Sequence, residues 1–203
     1  MDFDDRLETA EDGSVTLTLR RPLATKDGDV GFLTLRRPTL DELVGQDRQK
    51  GGPLHRAAWL MCRISGVAEK DFDDIDAGDA MILASVIGGF LDRLPGEDDR
   101  QPGDLPDRHS GRITVTDDGA TLDLRGPLAT KDGEVTRITL RRPTFKEMKG
   151  MGDKPDLQAS AKLISILSGV GPLHLGRIDA LDGLILGDIV NGFLGNARPG
   201  GGR

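Results

Sequence analysis

Along residues 15–19, apolar and polar positions alternate: Val15, Leu17 and Leu19 against Thr16 and Thr18. Further on, Leu33 and Leu35 alternate with Thr34 and Arg36. A period of two puts the apolar set on one face, so both stretches are predicted as strands with one buried side. Between them, Asp27-Gly28 is the preferred pair for a two-residue hairpin turn. With that turn Arg20, not Leu19, stands opposite Leu35, and one extra residue near Pro22 is expected to restore the apolar face.

The period then lengthens to that of a helix. Arg36-Arg37-Pro38-Thr39 leads to Glu42, and Thr-x-x-Glu is a capping box. A short helix is expected through Leu40, Leu43 and Val44, stopping near Gly45. Pro53 suits a first helical turn, after which Leu54, Ala57, Ala58, Met61 and Ile64 recur at helical spacing up to Ser65-Gly66. Phe72 is the anchor of a linking segment. Asp76 can cap a last helix, with Asp79 in its first turn. That helix carries Ile82, Leu83, Val86, Ile87, Phe90 and Leu91, and is apolar around most of its circumference.

The whole pattern is written twice. Residues 16–42 match residues 121–147 at 19 of 27 positions, including Pro-Leu-Ala-Thr-Lys-Asp-Gly intact. Arg141, Arg142, Thr144 and Glu147 repeat the capped start, with Phe145 and Met148 on the short helix and Gly150 as its expected stop. Asp153 or Asp156 then caps a helix bearing Leu157, Ala161, Ile164 and Leu167. Leu175 replaces Phe72. Asp179 and Asp182 open the last helix, which carries Leu184, Ile185, Leu186, Ile189, Val190, Phe193 and Leu194. Ahead of this copy, Ile113 and Val115 followed by Asp117-Asp118-Gly119 predict an added strand. Two copies are too few for a solenoid, so a tandem pair of α+β modules is expected, each a β-hairpin followed by about three α-helices. The modules are placed at 12–94 and 112–194. A Pro/Gly-rich, nearly apolar-free linker spans 95–111 and a disordered tail spans 195–203. The first ten or so residues are expected to be loose.

Composition narrows the function. Of 203 residues 28 are glycine and only 3% are aromatic, while the net charge is −7. The charge is uneven: −6 over residues 1–94, −3 over 95–111 and +2 over 112–203. Phosphate-backbone binding needs a concentrated basic face and single-strand binding needs stacking aromatics, so no nucleic acid partner is expected. No apolar run approaches the length of a membrane span, and the acidic start is unlike a secretory signal, so a reducing cytoplasm is expected.

Candidate chemistry is sparse. The lone Cys62 has Ser165 as its counterpart, and His55, His109 and His174 occupy no matched positions, so no nucleophile and no zinc set is expected. Asp71, Asp73, Asp74, Asp76 and Asp79 cluster, but the second copy places His174, Gly176 and Arg177 there, so solvated acids and a helix cap are expected rather than calcium ligands. No phosphate loop is present. No enzyme, no cofactor and no metal is therefore expected. The candidates for partner binding are the duplicated arginines Arg36, Arg37, Arg141 and Arg142, read either as a grip on an acidic surface or as solvated hairpin ends paired with local acids such as Asp41. With them stand the sticky helix residues Ile82, Val86, Phe90, Leu91, Ile185, Ile189, Phe193 and Leu194. Two apolar helix faces need two neighbours, so self-association or module–module docking also enters.

The order of motifs resembles the Mu-like phage tail assembly chaperone family. The matching stretches are Leu35–Thr39, Ile64–Val67, Ile75–Asp79 and Gly89–Leu91, and again Leu140–Thr144, Leu167–Val170, Ile178–Asp182 and Gly192–Leu194. The resemblance implies a non-catalytic factor in the cytoplasm of the bacterial host that binds the tape-measure protein, keeps it soluble and helps recruit tail-tube subunits. Members it resembles are usually a single module. The alternative is a structural tail or baseplate component retained in the virion.

Overall fold

The computed structural model describes residues 5–91, 107–149 and 156–195. They form two compact units of the same α+β design. The first comprises the described residues up to Pro38 and from Glu42 to Leu91; the second comprises Thr39–Asp41 and the described residues from 107 onward.

Each unit opens with a three-stranded antiparallel meander. In the first, β1 (Leu7–Thr9), β2 (Val15–Thr25) and β3 (Gly28–Leu35) pair in chain order. In the second, β4 (Ile113–Thr116), β5 (Gly119–Thr130) and β6 (Gly133–Arg141) do the same. The strand expected at Ile113 is present. Its partner in the first unit, β1, lies where the sequence suggests a loose start: Leu7 pairs with Leu17. Residues 107–111, assigned to the linker, begin a 3₁₀ turn that continues to Arg112; residues 92–106 and the tail from 196 lie outside the described residues.

The hairpin turn is at Lys26-Asp27, one residue earlier than expected, because Thr25 pairs with Gly28. Gly28 then takes φ +117°, where a side chain is strained. The register slips by more than one residue. Thr18 faces Phe32, whereas Leu23 faces Val30, so Leu19-Arg20-Arg21-Pro22 bulge against Gly31 alone. Pro22 cannot donate to a ladder, and the bulge frees it from doing so. The second unit repeats the slip between Asp123 and Leu128. Beyond the bulge, Leu17 and Leu35 turn inward and are fully buried, while Thr16 and Thr34 share a 2.8 Å hydroxyl hydrogen bond on the outer face. Thr121 and Thr139 do likewise at 3.0 Å.

The helices are α1 (Leu40–Asp47), α2 (Pro53–Ser65), the single turn α3 (Glu69–Phe72) and α4 (Ala77–Phe90), repeated as α5 (Phe145–Lys149), α6 (Leu157–Ser168), α7 (Pro172–Leu175) and α8 (Ala180–Gly195). The expected caps are observed. Gly66 and Gly169 close α2 and α6 in the left-handed region, and Asp156 and Asp76 accept from first-turn N–H groups of α6 and α4. Asp153 lies outside the described residues. Gly45 does not end α1; it lies inside the helix, where a Cβ would come 2.7 Å from the Trp59 ring. Close approach of the indole, not helix termination, requires that glycine. The core of each unit lies between the sheet and the helices: Leu17, Leu33 and Leu35 with Leu60, Ile64, Leu83 and Ile87, and Leu122, Ile138 and Leu140 with Leu163, Ile164, Leu186 and Val190. Phe72 and Leu175 are buried anchors, as expected.

Candidate functional site

The duplicated arginines sit where β3 and β6 hand over to a helix, and each has an internal partner. Arg36 donates through both terminal nitrogens to Glu42, at 2.8 and 2.5 Å, and to the Arg37 carbonyl. Arg141 grips Glu147 at 3.0 and 2.5 Å and the Arg142 carbonyl. A planar fork on a carboxylate is the strongest form of such a pair. It raises both guanidinium pKa values and holds the Glu147 carboxyl down at about 2, with the Thr144 N–H as second cause. Glu147 also accepts from the Thr144 hydroxyl while its own N–H donates to that oxygen, so the capping box forms. The local acid paired with Arg36 is thus the capping-box glutamate and not Asp41.

Arg37 and Arg142 turn the other way. Arg37 lies 5.2 Å over the Phe90 ring and donates to the Phe90 carbonyl at 2.7 Å, closing the C-terminal end of α4. Arg142 lies 5.2 Å over Phe193 and donates to the Asp117 carbonyl. Together the arginine pairs bracket each unit from hairpin end to last helix, with two of them half exposed at their outer edge.

Sequence reasoning missed a second bracket. The bulge in β2 leaves the Arg20 N–H out of the ladder, and it donates to Asp79 at 2.9 Å. Asp79 is fully buried on α4 and also accepts from Arg6 at 2.9 Å. In the second unit Asp182 takes the Arg125 N–H at 2.9 Å and the Arg112 guanidinium. The signal was there in the matched Asp-x-x-Asp of both copies, read only as first-turn charge. Among the described residues no group of three or more His, Cys, Asp or Glu side chains is placed to hold a metal ion. Cys62 is buried and desolvation pushes its thiol up to about 11, so it is a core residue in an unreactive form.

Of the helix residues expected to meet a partner, Phe90, Leu91, Ile185 and Ile189 are buried and fill the cores, so their side chains are not presented at the surface. Ile82, Val86 and Phe193 are half-buried; the Leu194 side chain lies outside the described residues. The large apolar side chains that do reach solvent are others. They include Phe32, Leu54 (77% exposed) and Met81 (65%) in the first unit, and Val115, Ile166 and Leu173 (81%) in the second. Phe32 stands on the outer face of its sheet, opposite in sense to Leu33 and Leu35, whereas Val115 lies on the edge strand β4 on the same face as the buried Ala120 it pairs with. Leu54 and Leu173 each follow the proline that starts a helix.

The family model for phage tail assembly chaperone proteins, described as E, or 41 or 14, matches residues 16–92 and again residues 121–195, well over half of the chain. The chain belongs to the phage tail assembly chaperone family. It carries two consecutive copies of the family module, and the boundaries of each match fall at the hairpin and at the end of the last helix. No curated protein and no solved structure matches it. Among the described residues no helix is long and apolar enough to cross a membrane.

Proposed function

We propose that this family member is a non-catalytic chaperone that binds the tape-measure protein in the cytoplasm of the bacterial host, keeps it soluble, and assists addition of tail-tube subunits. The observation that carries the reading is the family match over both modules. Exposed apolar side chains on a chain of net charge −7 support it. An elongated helical client presents a stripe of apolar residues, and a half-buried helix face can cover such a stripe. In the first unit that face is Ile82 and Val86 on α4, one turn apart, with the exposed Met81 beside Ile82. The surrounding acids keep a complex dispersed. Phe90, Leu91, Ile185 and Ile189 serve by holding the helices in place, and the arginine brackets by fixing the hairpin against them.

Co-expression with the tape-measure protein tests the reading: the two are expected to co-purify, and Met81→Asp with Ile82→Asp to abolish this without unfolding the chain. Mass spectrometry of finished particles separates the chaperone from a retained tail or baseplate component. A chaperone is expected to be absent, and stoichiometric presence would overturn the reading.

A further inference from the structure

The two sheets end on unlike edges. β1 and β4 are the outermost strands of their meanders, and among the described residues neither has a further strand beside it. In the second unit Thr116 pairs with Gly119 across the two-residue turn Asp117-Asp118. Pairing alternates along an antiparallel ladder, so Thr114 and Thr116 aim their N–H and C=O groups at β5, while Ile113 and Val115 aim theirs at the open edge. An edge of this kind is a template for another strand unless charge, proline or a covering element guards it.

The matched strand β1 has that guard in Glu8, whereas β4, Ile-Thr-Val-Thr, carries no charge. The core face of β4 is also unfinished. Ile113 faces Leu122 and Val115 faces Ala120, both buried, yet Ile113 is only half-buried and Val115 is 64% exposed. On the outer face Thr114 pairs with Thr121 and Thr121 with Thr139, so a row of threonines crosses the sheet and stops at its edge.

The strand complements itself. Turned antiparallel about Thr114, it sets Ile113 of one copy against Val115 of the other, twice, on the core face. Thr114 meets Thr114 on the outer face, as Thr121 already meets Thr139. Apolar β-branched pairs and threonine pairs are both stabilising across strands. At the strand ends the same register brings Arg112 of one copy beside Asp117 of the other, opposite in sign. The equivalent pairing of β1 would set Glu8 on Glu8, and like charges directly opposite destabilise.

We propose that β4 pairs with β4 of a second copy about a two-fold axis at Thr114, joining two three-stranded sheets into one of six strands. The edge-facing N–H and C=O groups of Ile113 and Val115 then satisfy each other, Val115 is covered, and the threonine row runs on into the second sheet. The contact is isologous, so it closes at two chains. It leaves the Ile82 and Val86 face of α4 unused and requires no client.

Sedimentation equilibrium of the full-length chain over a wide concentration range tests this. The weight-average mass is expected to climb from the 21.8 kDa of one chain and level at twice that value. Thr114→Glu, which copies the residue that the first unit carries in its own folded sheet, is expected to move the climb about tenfold upward in concentration. Thr114→Lys should do the same. An equimolar mixture of the two variants should regain association, because glutamate then faces lysine across the axis; unfolding cannot produce that recovery. Thr114→Cys should form an interchain disulfide on mild oxidation, since directly opposed residues of such a pair have Cα atoms about 4.5 Å apart. A mass that stays at one chain throughout, a climb that passes two chains without levelling, or an association that the Glu and Lys variants leave unchanged would overturn the proposal.

Discussion

At the scale of single residues the two buried aspartates decide most. Asp79 and Asp182 each hold an arginine and a backbone N–H that the bulged strand cannot pair. Removing one strands both partners near a dry core. Asp79→Ala or Asp182→Ala is therefore expected to cost about 2–4 kcal/mol, measured by denaturant unfolding. Surface acids such as Asp27 are expected to change stability by less than about 0.5 kcal/mol on the same substitution. Cys62 gives a second residue-scale expectation. With a thiol pKa near 11, only about one molecule in a thousand is a thiolate at pH 8. An unfolded cysteine, with a pKa of about 8.5, is about one quarter thiolate at that pH, so alkylation of the native chain should be slower by roughly two orders of magnitude; equal rates would mean that Cys62 is not buried.

At the scale of elements, alternation and capping were legible and their tertiary corrections were not. Val15 to Leu19 and Leu33 to Leu35 announce strands because a half-buried strand must alternate. Thr144 and Glu147 announce a helix start because the orphan N–H groups there need acceptors. The bulge at Leu19–Pro22 was underestimated because its purpose, an N–H aimed at Asp79, depends on a residue about sixty positions away. Strand β1 escaped notice because only Leu7 is apolar among acids and its pairing with Leu17 is not local. Gly45 read as a stop because its partner, Trp59, lies on another helix. That glycine yields a sign test. Glycine to alanine inside a helix ordinarily stabilises by roughly 0.5–1 kcal/mol. Gly45→Ala is expected instead to destabilise by about 1 kcal/mol or more, because the indole must move. Thermal melts of the two proteins decide it. The α5 start carries a pH expectation. Glu147 is depressed in the folded chain, so its contribution is fully present above the unfolded value of about 4.3 and fades as pH falls through about 2. The Thr144 amide resonance should titrate with a midpoint near the lower value; a midpoint near the upper one would mean the Arg141 clamp is open in solution.

At the scale of the whole molecule, one module written twice explains the composition better than a single large domain would. Glycines serve the hairpin corners, the left-handed caps and the approach of Trp59, and few aromatics are needed where leucine fills two small cores. For the duplicated arginines, pairing with a local acid was one of the two readings the sequence allowed, but the acid was not legible: the fork closes on Glu42 or Glu147, which the capping box already claims, and not on Asp41. Which apolar residues face outward was equally hidden. The last helices are apolar almost all round, and only the fold separates Met81 from Phe90.

The central claim is that this family member keeps a tape-measure protein soluble without catalysis. The most direct measurement is light scattering of the unfolded tape-measure protein diluted into buffer with increasing amounts of the purified chain and no nucleotide. Aggregation is expected to fall in proportion to added chain, to reach a plateau at a fixed stoichiometry, and to return when Met81 and Ile82 are changed to aspartate. Scattering unaffected at any ratio, or suppressed equally by the doubly substituted chain, would contradict the account.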